Sequence, residues 1–359
     1  YRTPQPASRL GRVLRIRMPG QHVLNEIRQT IAETGDVSAA DLSDERLASD
    51  QPLVIRGLAS DWPAVRQGLE SADRMIDYLQ GFDSGNVVTA LYAPPEAAGR
   101  IFYNEDMTAF NFEYRRMALK DAVQQVRSHV DTPSSPSLYI GSTNVDHWLP
   151  GFREQNDFPI RHLEPLVSIW IGNQSRVSAH YDFPSNIACV VAGRRQVILF
   201  PPEQLANLYV GPLDFTPAGQ PISLVDFHAP DYERFPRFRE AIKTARMAVL
   251  EPGDALIVPS MWWHHMEALD AFNVLVNYWW RSSPSYMGPP LSALQHAMLS
   301  LRDLPEAQRK QWRDLFDFYV FNPDPDNFEH IPEGARGVLN PIDEQTARQI
   351  RKMLRDKLL

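Results

Sequence analysis

The sequence is short of cysteine, of excess positive charge and of long apolar runs. Its 359 residues include a single cysteine, Cys189, so no disulfide forms within the chain and we expect a reducing, cytoplasmic compartment. The formal net charge of −8 argues against a large phosphate-binding surface and makes a nucleic acid an unfavoured partner. No uninterrupted apolar stretch approaches the roughly 18 residues that cross a bilayer, so we expect no membrane partner.

Proline and aromatic residues are abundant instead. The chain has 30 prolines against 18 glycines, together with 8 tryptophans, and this balance favours a β-rich core joined by rigid loops. The apolar fraction of 43% and the charged fraction of 22% are typical of a globular protein with a substantial core.

Changes of pattern along the chain predict four segments. They are an extended lead-in at 1–20, α/β elements that pack on the core at 21–135, the β-rich core at 136–285 and a helical region at 286–359. Apolar spacing from Gln21 to Glu33 predicts a first amphipathic helix. Within the core, two apolar runs flank Ala192-Gly-Arg-Arg195, which predicts a β-hairpin. Many short strands separated by turn residues indicate a sandwich or barrel.

The last segment carries three helical patterns. The third pattern is expected to begin at Asn340, with Pro341 at the first helical position, and it has a wide apolar stripe that includes Ile350, Met353 and Leu354. Such a stripe needs a partner surface. A homodimer seam and packing against the chain's own core are equally compatible with the sequence.

The clearest chemical signal is a His-x-Asp triplet. His180 and Asp182 are two residues apart in strand-like surroundings, so their side chains point the same way and could take adjacent positions on one metal ion. The paired histidines His264 and His265 lie on a later strand, where only one of them can join easily. Two histidines and one carboxylate on one face of a metal are typical of non-haem Fe(II) oxygenases. Asp226 and His228 are a rival pair, in a loop rich in proline and glycine.

Several motifs within 139–280 resemble the Jumonji-C, cupin-like family of Fe(II)/2-oxoglutarate oxygenases. They are His180-Tyr-Asp182, Ile198-Leu-Phe-Pro-Pro202, Pro230-Asp-Tyr-Glu-Arg-Phe-Pro236, Pro252-Gly-Asp254 and Trp262-Trp-His-His265. Within that family the sequence looks most like a protein asparaginyl hydroxylase. The resemblance implies a mainly β fold with flanking helices, in which a double-stranded β-helix of the cupin (jelly-roll) type is followed by a C-terminal helical bundle.

The resemblance also implies roles for individual residues. His180, Asp182 and His264 match the iron ligands, and His265 would then face away from the metal. Four residues match positions near the 2-oxoglutarate co-substrate: Tyr139, Asn186, Arg195 and Asn277. Trp279 matches an aromatic residue at the substrate mouth, where we also expect the aromatic stretch around Tyr103.

Two residues depart from the family pattern. Arg195 stands where the most similar relative has a lysine that pairs with the tail of 2-oxoglutarate. A guanidinium can hold a carboxylate through two hydrogen bonds, although the pocket must be reshaped around it. Val177 stands where a threonine also contacts the co-substrate, and Ser178 could supply that hydroxyl only if the local backbone path shifts.

The resemblance implies an Fe(II)- and 2-oxoglutarate-dependent dioxygenase that uses O2 to hydroxylate an unactivated C–H bond, and the expected substrate is a protein or peptide side chain. Alternatives are an RNA base, a methyl-lysine or a small metabolite. From a different class, the chain could be a cupin that binds metal and ligand without catalysis, as a sensor or scaffold.

Overall fold

The computed structural model describes residues 25–358 except 36, 133 and 218, so the predicted lead-in at 1–20 lies outside the described residues. Two compact units are present, one that extends to Arg281 and one that begins at Ser282.

The first unit is built on two β-sheets. Nine strands form the larger sheet in the spatial order β2-β3-β13-β10-β15-β8-β7-β4-β6. Their bounds are Ala32–Thr34 (β2), Leu53–Ile55 (β3), Val87–Ala93 (β4), Glu113–Ala118 (β6), Ser137–Asn144 (β7), Leu166–Gly172 (β8), Ser185–Ala192 (β10), Ala255–Val258 (β13) and Asn273–Trp280 (β15).

Six strands form the smaller sheet in the order β1-β12-β11-β14-β9-β5. Their bounds are Gln29–Thr30 (β1), Arg100–Ile101 (β5), Arg176–His180 (β9), Arg195–Phe200 (β11), Arg246–Leu250 (β12) and Trp263–Ala268 (β14).

The α-helices of this unit are short. Their bounds are Asp44–Leu47 (α1), Pro63–Glu70 (α2), Ala72–Gln80 (α3), Leu119–His129 (α4), Val145–Trp148 (α5) and Phe238–Thr244 (α6). Helices α2 to α4 bury side chains such as Val65, Ile76 and Val123 in the largest hydrophobic cluster, which also holds Ile187 and Val276 of the nine-stranded sheet. These helices therefore cover one face of that sheet.

Successive strands from β8 to β15 alternate between the two sheets, except that β11 and β12 are neighbours in the smaller one. The space between the sheets is filled by side chains of both, among them Ala188, Val190, Val197 and Leu199. Alternate residues of β11, such as Ile198, pack on the opposite face with α6. This arrangement is a double-stranded β-helix, and the predicted mainly β fold with flanking helices is confirmed.

The predicted hairpin around Gly193 is wrong. Strand β10 pairs with β13 and β15, whereas β11 pairs with β12 and β14, so the chain crosses from one sheet to the other at this glycine. Gly193 has a φ of +68°, and a Cβ there would lie 2.4 Å from the Phe272 carbonyl oxygen. The crossing therefore uses the conformational freedom that glycine alone has, for a corner rather than for a hairpin.

The predicted helix from Gln21 to Glu33 is wrong from Ile27 onward, since only Asn25 and Glu26 of its described residues are helical. Strand β1 pairs with β12 and strand β2 with β3, both in parallel. Ile27 and Ile31 pack in two different hydrophobic clusters. Residues four apart, such as Ile27 and Ile31, lie on one side of a strand as well as of a helix, so their spacing does not distinguish the two. In the structure this part of the chain instead adds one strand to the edge of each sheet.

The second unit is helical. Its main helices are Pro290–Leu301 (α7), Glu306–Phe316 (α8) and Glu344–Leu358 (α9). Helix α9 begins later than predicted, because Asp343 rather than Asn340 accepts a hydrogen bond, from the Thr346 amide at 2.7 Å. Within 282–358, the buried apolar side chains are those of Phe328 and Ala347.

Candidate metal centre

The two predicted histidine ligands lie directly opposite each other on neighbouring antiparallel strands. His180 ends β9 and pairs with His264 of β14, and the two ring centroids are 4.3 Å apart. The Asp182 carboxylate lies two residues beyond β9, with Oδ2 3.6 Å from His264 Nε2. One ligand atom from each of the three residues lies within 4.8 Å of the others, so the predicted triad is brought together.

Backbone carbonyls orient both imidazole rings. Nδ1 of His180 lies 2.9 Å from the Ser178 carbonyl oxygen, and Nδ1 of His264 lies 3.0 Å from that of Trp262. Because a carbonyl only accepts, Nδ1 carries a proton in each ring and Nε2 is the nitrogen left to bind a metal. Burial and the neighbouring His180 ring lower the pKa of His264 to about 4. Two imidazoles and a carboxylate form a donor set that suits Fe(II).

The loops beside the triad are tied to each other. The Met261 amide donates to the Asp182 carbonyl oxygen at 2.9 Å, and the Ser260 hydroxyl donates to the Phe183 carbonyl oxygen at 2.5 Å. Met261 itself adopts a φ of +69°. These bonds join the segment that holds Asp182 to the segment that leads into His264, so the carboxylate is fixed relative to the strand that bears the second histidine.

Arg195 is a buried cation on the inner face of β11, the face that also carries Val197 and Leu199. Only 3% of the residue is exposed, and none of the described carboxylates lies within salt-bridge distance of its guanidinium. Nε has no hydrogen-bond partner among the described residues. A buried cation without a counter-ion is costly, so this position suits a bound anion.

The Tyr139 hydroxyl faces the Arg195 guanidinium. Burial raises the pKa of Tyr139 to about 12, although the neighbouring guanidinium opposes the rise. Burial also lowers the pKa of Arg195. The phenol therefore keeps its proton at neutral pH and remains a hydrogen-bond donor beside the cation.

A chain of polar contacts crosses the interior from β8 to β10. Trp170 Nε1 donates to Asn277 Oδ1 at 2.7 Å, and Asn277 Nδ2 donates to Asn186 Oδ1 at 3.3 Å. Both asparagines are almost fully buried. Trp170 also stacks on Tyr139, with ring centroids 5.7 Å apart. The predicted Asn186 and Asn277 are thus brought together with the aromatic wall beside Arg195.

Sequence reasoning missed Trp170. The signal was the alternation along β8, where Val167, Ile169 and Ile171 pack in the helix-covered core while Trp170 points to the inner face. The predicted Trp279 lies next to it, half-buried, with its ring edge-on to Trp170 at 5.8 Å.

Tyr103 lies in a separate aromatic cluster. Its hydroxyl donates to the Phe215 carbonyl oxygen at 2.6 Å, and its ring contacts those of Phe102, Phe110 and Phe215. It also lines a cavity of about 180 Å³ whose walls include Phe235 rather than the metal triad. Its place at a substrate mouth stays a prediction.

The rival pair Asp226 and His228 lies on the outer face of the smaller sheet, away from the triad. Asp226 forms ion pairs with Arg100 and Arg176, both at 3.3 Å. His228 Nε2 lies 2.7 Å from Glu267 Oε1, and His265 Nε2 lies at the same distance from that oxygen. His265 therefore faces away from its neighbour His264 and towards this outer network.

The second departure from the family pattern, Val177, lies on β9. Val177 lies opposite Met266 of β14 and brings no hydroxyl to that position. Ser178 takes part in the centre through its carbonyl oxygen, which accepts from His180.

Comparison with known proteins places most of the first unit in one family. Residues 39–286 match the cupin-like domain. The chain belongs to the cupin-like domain family. The match runs through both sheets and includes all three residues of the metal triad.

Curated relatives match over shorter stretches. The chain is 33% identical to lysine-specific demethylase JMJ31 of Arabidopsis thaliana over 118 residues, which are 33% of this chain and 21% of the relative. It is 32% identical to tRNA wybutosine-synthesizing protein 5 of Danio rerio over 143 residues, which are 39% of this chain and 38% of the relative. It is 35% identical to HSPB1-associated protein 1 of Homo sapiens over 124 residues, which are 34% of this chain and 25% of the relative. The matches thus span well under half of each relative's length.

The narrower likeness to a protein asparaginyl hydroxylase stays a prediction. Among the described residues, no helix is both long enough and apolar enough to cross a membrane.

Proposed function

We propose that the chain is an Fe(II)- and 2-oxoglutarate-dependent dioxygenase that hydroxylates a protein or peptide side chain. The observation that carries this proposal is the triad of His180, Asp182 and His264, whose ligand atoms converge on the inner face of a cupin-like barrel. The names of two relatives, a demethylase and a tRNA-modifying protein, are consistent with oxidative chemistry in this family.

Different residues of the site would hold the metal, bind the co-substrate and exclude water. His180, Asp182 and His264 would hold the iron on one face and leave its other face open. When bound, Fe(II) with 2-oxoglutarate and O2 supplies oxidative decarboxylation to succinate and carbon dioxide, coupled to oxidation of a C–H bond.

The distal carboxylate of 2-oxoglutarate would pair with the Arg195 guanidinium and accept a hydrogen bond from the Tyr139 hydroxyl. The contact from Trp170 to Asn277 and on to Asn186 fixes the amides that line the inner face. The rings of Trp170 and Trp279 keep water from one side of the site.

A protein or peptide is favoured over RNA because the net charge is −8, which does not suit a polyanion. The test is succinate release from 2-oxoglutarate in air, measured with Fe(II) and separately with proteolysed cell extract, total RNA and a metabolite extract. The proposal expects the peptide fraction to stimulate succinate release most. Stimulation by RNA alone would contradict the substrate class, and metal binding with no succinate under any condition would favour the non-catalytic cupin.

We also propose that a second copy of this chain covers the helical unit. Large apolar side chains there are strongly exposed, including Leu299 at 77% and Phe321 at 71%, and Met353 and Leu354 of α9 are also exposed. Deletion of residues 340–359 should convert a dimer to a monomer in light scattering after gel filtration. The point variant Leu354→Glu should weaken the dimer in the same assay. An unchanged dimer after the deletion would show that α9 is not the seam.

A further inference from the structure

The pairing between the two metal-bearing strands contains a shift of one residue. His264 pairs with His180, but further along Met266 pairs with Val177 and Glu267 with Arg176. Two residues of β9, Ser178 and Ala179, therefore oppose the single residue His265.

This shift decides where His180 points. If the pairing of Met266 with Val177 continued unchanged, His264 would lie opposite Ala179, and His180 would point to the outer face. The extra residue restores His180 to the inner face beside His264. A β-bulge next to an active site commonly re-aims a side chain in this way.

The outer face of the same strands holds the shift in place. His265, the residue opposite the extra one, packs its ring on Phe227 with centroids 4.6 Å apart. Its Nε2 lies 2.7 Å from Glu267 Oε1, and His228 Nε2 lies at the same distance from that oxygen. Burial alone would raise the pKa of the Glu267 carboxyl, but the hydrogen bonds from both histidines hold the pKa well below its ordinary value.

One loop segment, 222–228, binds both sides of the shift. Ile222 forms a β-bridge with His180, and the Ser223 amide donates to the Ala179 carbonyl oxygen at 2.7 Å. Six residues after Ile222, His228 reaches Glu267 on the neighbouring strand. Glu267 is only 5% exposed and is the point at which this segment and His265 meet.

We propose that Glu267 is a positioning residue of the metal centre. By accepting from His228 and His265 on the outer face, it maintains the one-residue shift that puts His180 beside His264 on the inner face. This inference rests on the proposed function, because it takes the triad to be a metal site. It assigns a role to a residue that touches neither metal nor co-substrate.

The test is Co(II) affinity of the purified full chain, measured by competition with a chelator and by the visible spectrum of bound Co(II). Glu267→Leu removes the acceptor shared by both histidines and should weaken Co(II) binding about 10- to 100-fold, as expected when the support of a metal ligand is lost. Glu267→Gln retains an acceptor oxygen and should recover most of the affinity. His228→Leu removes one donor only and provides a milder variant if Glu267→Leu does not fold.

Asp254→Asn is the matched control, since it breaks the ion pair of a buried carboxylate whose bonds go to Arg56, Gly57 and Glu251 and not to β9, β14 or the segment 222–228. It should lower the stability of the fold while leaving Co(II) affinity at the wild-type value. Wild-type Co(II) affinity in Glu267→Leu, or an equal loss in Asp254→Asn, would overturn the positioning role. A wild-type protein that binds no Co(II), or binds it equally well without Asp182, would instead overturn the metal centre itself.

Discussion

The two faces of the smaller sheet differ in how their buried polar groups are satisfied. On the outer face, Asp226 pairs with two arginines and Glu267 accepts from two histidines. On the inner face, the Nε2 atoms of His180 and His264 converge with Asp182, and Arg195 has no described carboxylate beside it. Both faces belong to the same strands and are similarly buried.

This difference distinguishes buried polar groups that stabilise the fold from buried polar groups that bind ligands. A buried polar or charged group requires a partner, and on the outer face the chain provides it. On the inner face the described residues provide no such partners, and we infer that ligands supply them, a cation for the triad and an anion for Arg195. The contrast therefore indicates both the chemistry and the place of the ligands without reference to any relative.

The largest effect is expected from the triad. His180→Ala or Asp182→Ala should abolish 2-oxoglutarate turnover, because a metal ligand is lost. Succinate release in air measures it. His296→Ala, on the exposed surface of α7, is the matched control and should retain wild-type turnover. Full iron-dependent turnover in either triad variant would show that these residues are not ligands.

Arg195→Met should weaken 2-oxoglutarate binding by at least about 30-fold, since truncating one partner of a buried charge pair costs about 2–5 kcal/mol. The free energy of unfolding of the apoprotein should not fall, because none of the described carboxylates pairs with the guanidinium. Calorimetric titration and urea unfolding measure the two effects. Arg195→Lys should retain part of the affinity. A destabilised apoprotein with unchanged 2-oxoglutarate binding would show that Arg195 stabilises the fold and does not bind the co-substrate.

Asp226→Asn should have the opposite effects, a lower free energy of unfolding and unchanged 2-oxoglutarate binding. It leaves Arg100 and Arg176, each less than one-fifth exposed, without their carboxylate. We expect a loss of about 2 kcal/mol in the free energy of unfolding, below the 3–5 kcal/mol of a fully buried pair because Asp226 is 29% exposed. Urea unfolding tests this, and affinity for 2-oxoglutarate should stay unchanged. Weaker 2-oxoglutarate binding with an unchanged free energy of unfolding would contradict the distinction between a structural outer face and a ligand-binding inner face.

The smallest effect is expected on the free energy of unfolding at acid pH. The pKa of Glu267 is lowered in the folded protein, so its contribution to stability is present above the ordinary value of about 4.5 and is lost as pH falls through the lower folded value. The stability gap between wild type and Glu267→Gln should therefore narrow as pH falls below about 4.5. Urea unfolding at a series of pH values follows it. A gap that widened in acid would contradict the assignment of a depressed pKa.

Much of the site could be predicted because its chemistry is local in sequence. His180 and Asp182 are two residues apart, a spacing that puts both on one side of an extended segment. Arg195 and the two asparagines were indicated by resemblance, and the structure places Asn186 and Asn277 within hydrogen-bond distance. Many short strands separated by turn residues indicate a sandwich or barrel, and the cupin-like fold is what the family resemblance implies.

The remainder depended on contacts between distant segments. The role of Gly193 was misjudged because a tight corner between sheets and a hairpin use the same residues. The shift opposite His265 cannot be deduced from one strand, since it is a property of a pair. Glu267 follows the paired histidines by two residues, but its partner His228 lies 39 residues away and only the folded chain joins them.

The most direct measurement is an anaerobic titration of the wild-type chain with Fe(II) and 2-oxoglutarate, observed in the visible spectrum. A weak metal-to-ligand charge-transfer band should appear only when both are present. It should be absent from Asp182→Ala and should require much more 2-oxoglutarate in Arg195→Met. A wild-type protein without the band, or a band of equal strength in Asp182→Ala, would contradict the claim that the inner face is an iron and 2-oxoglutarate site.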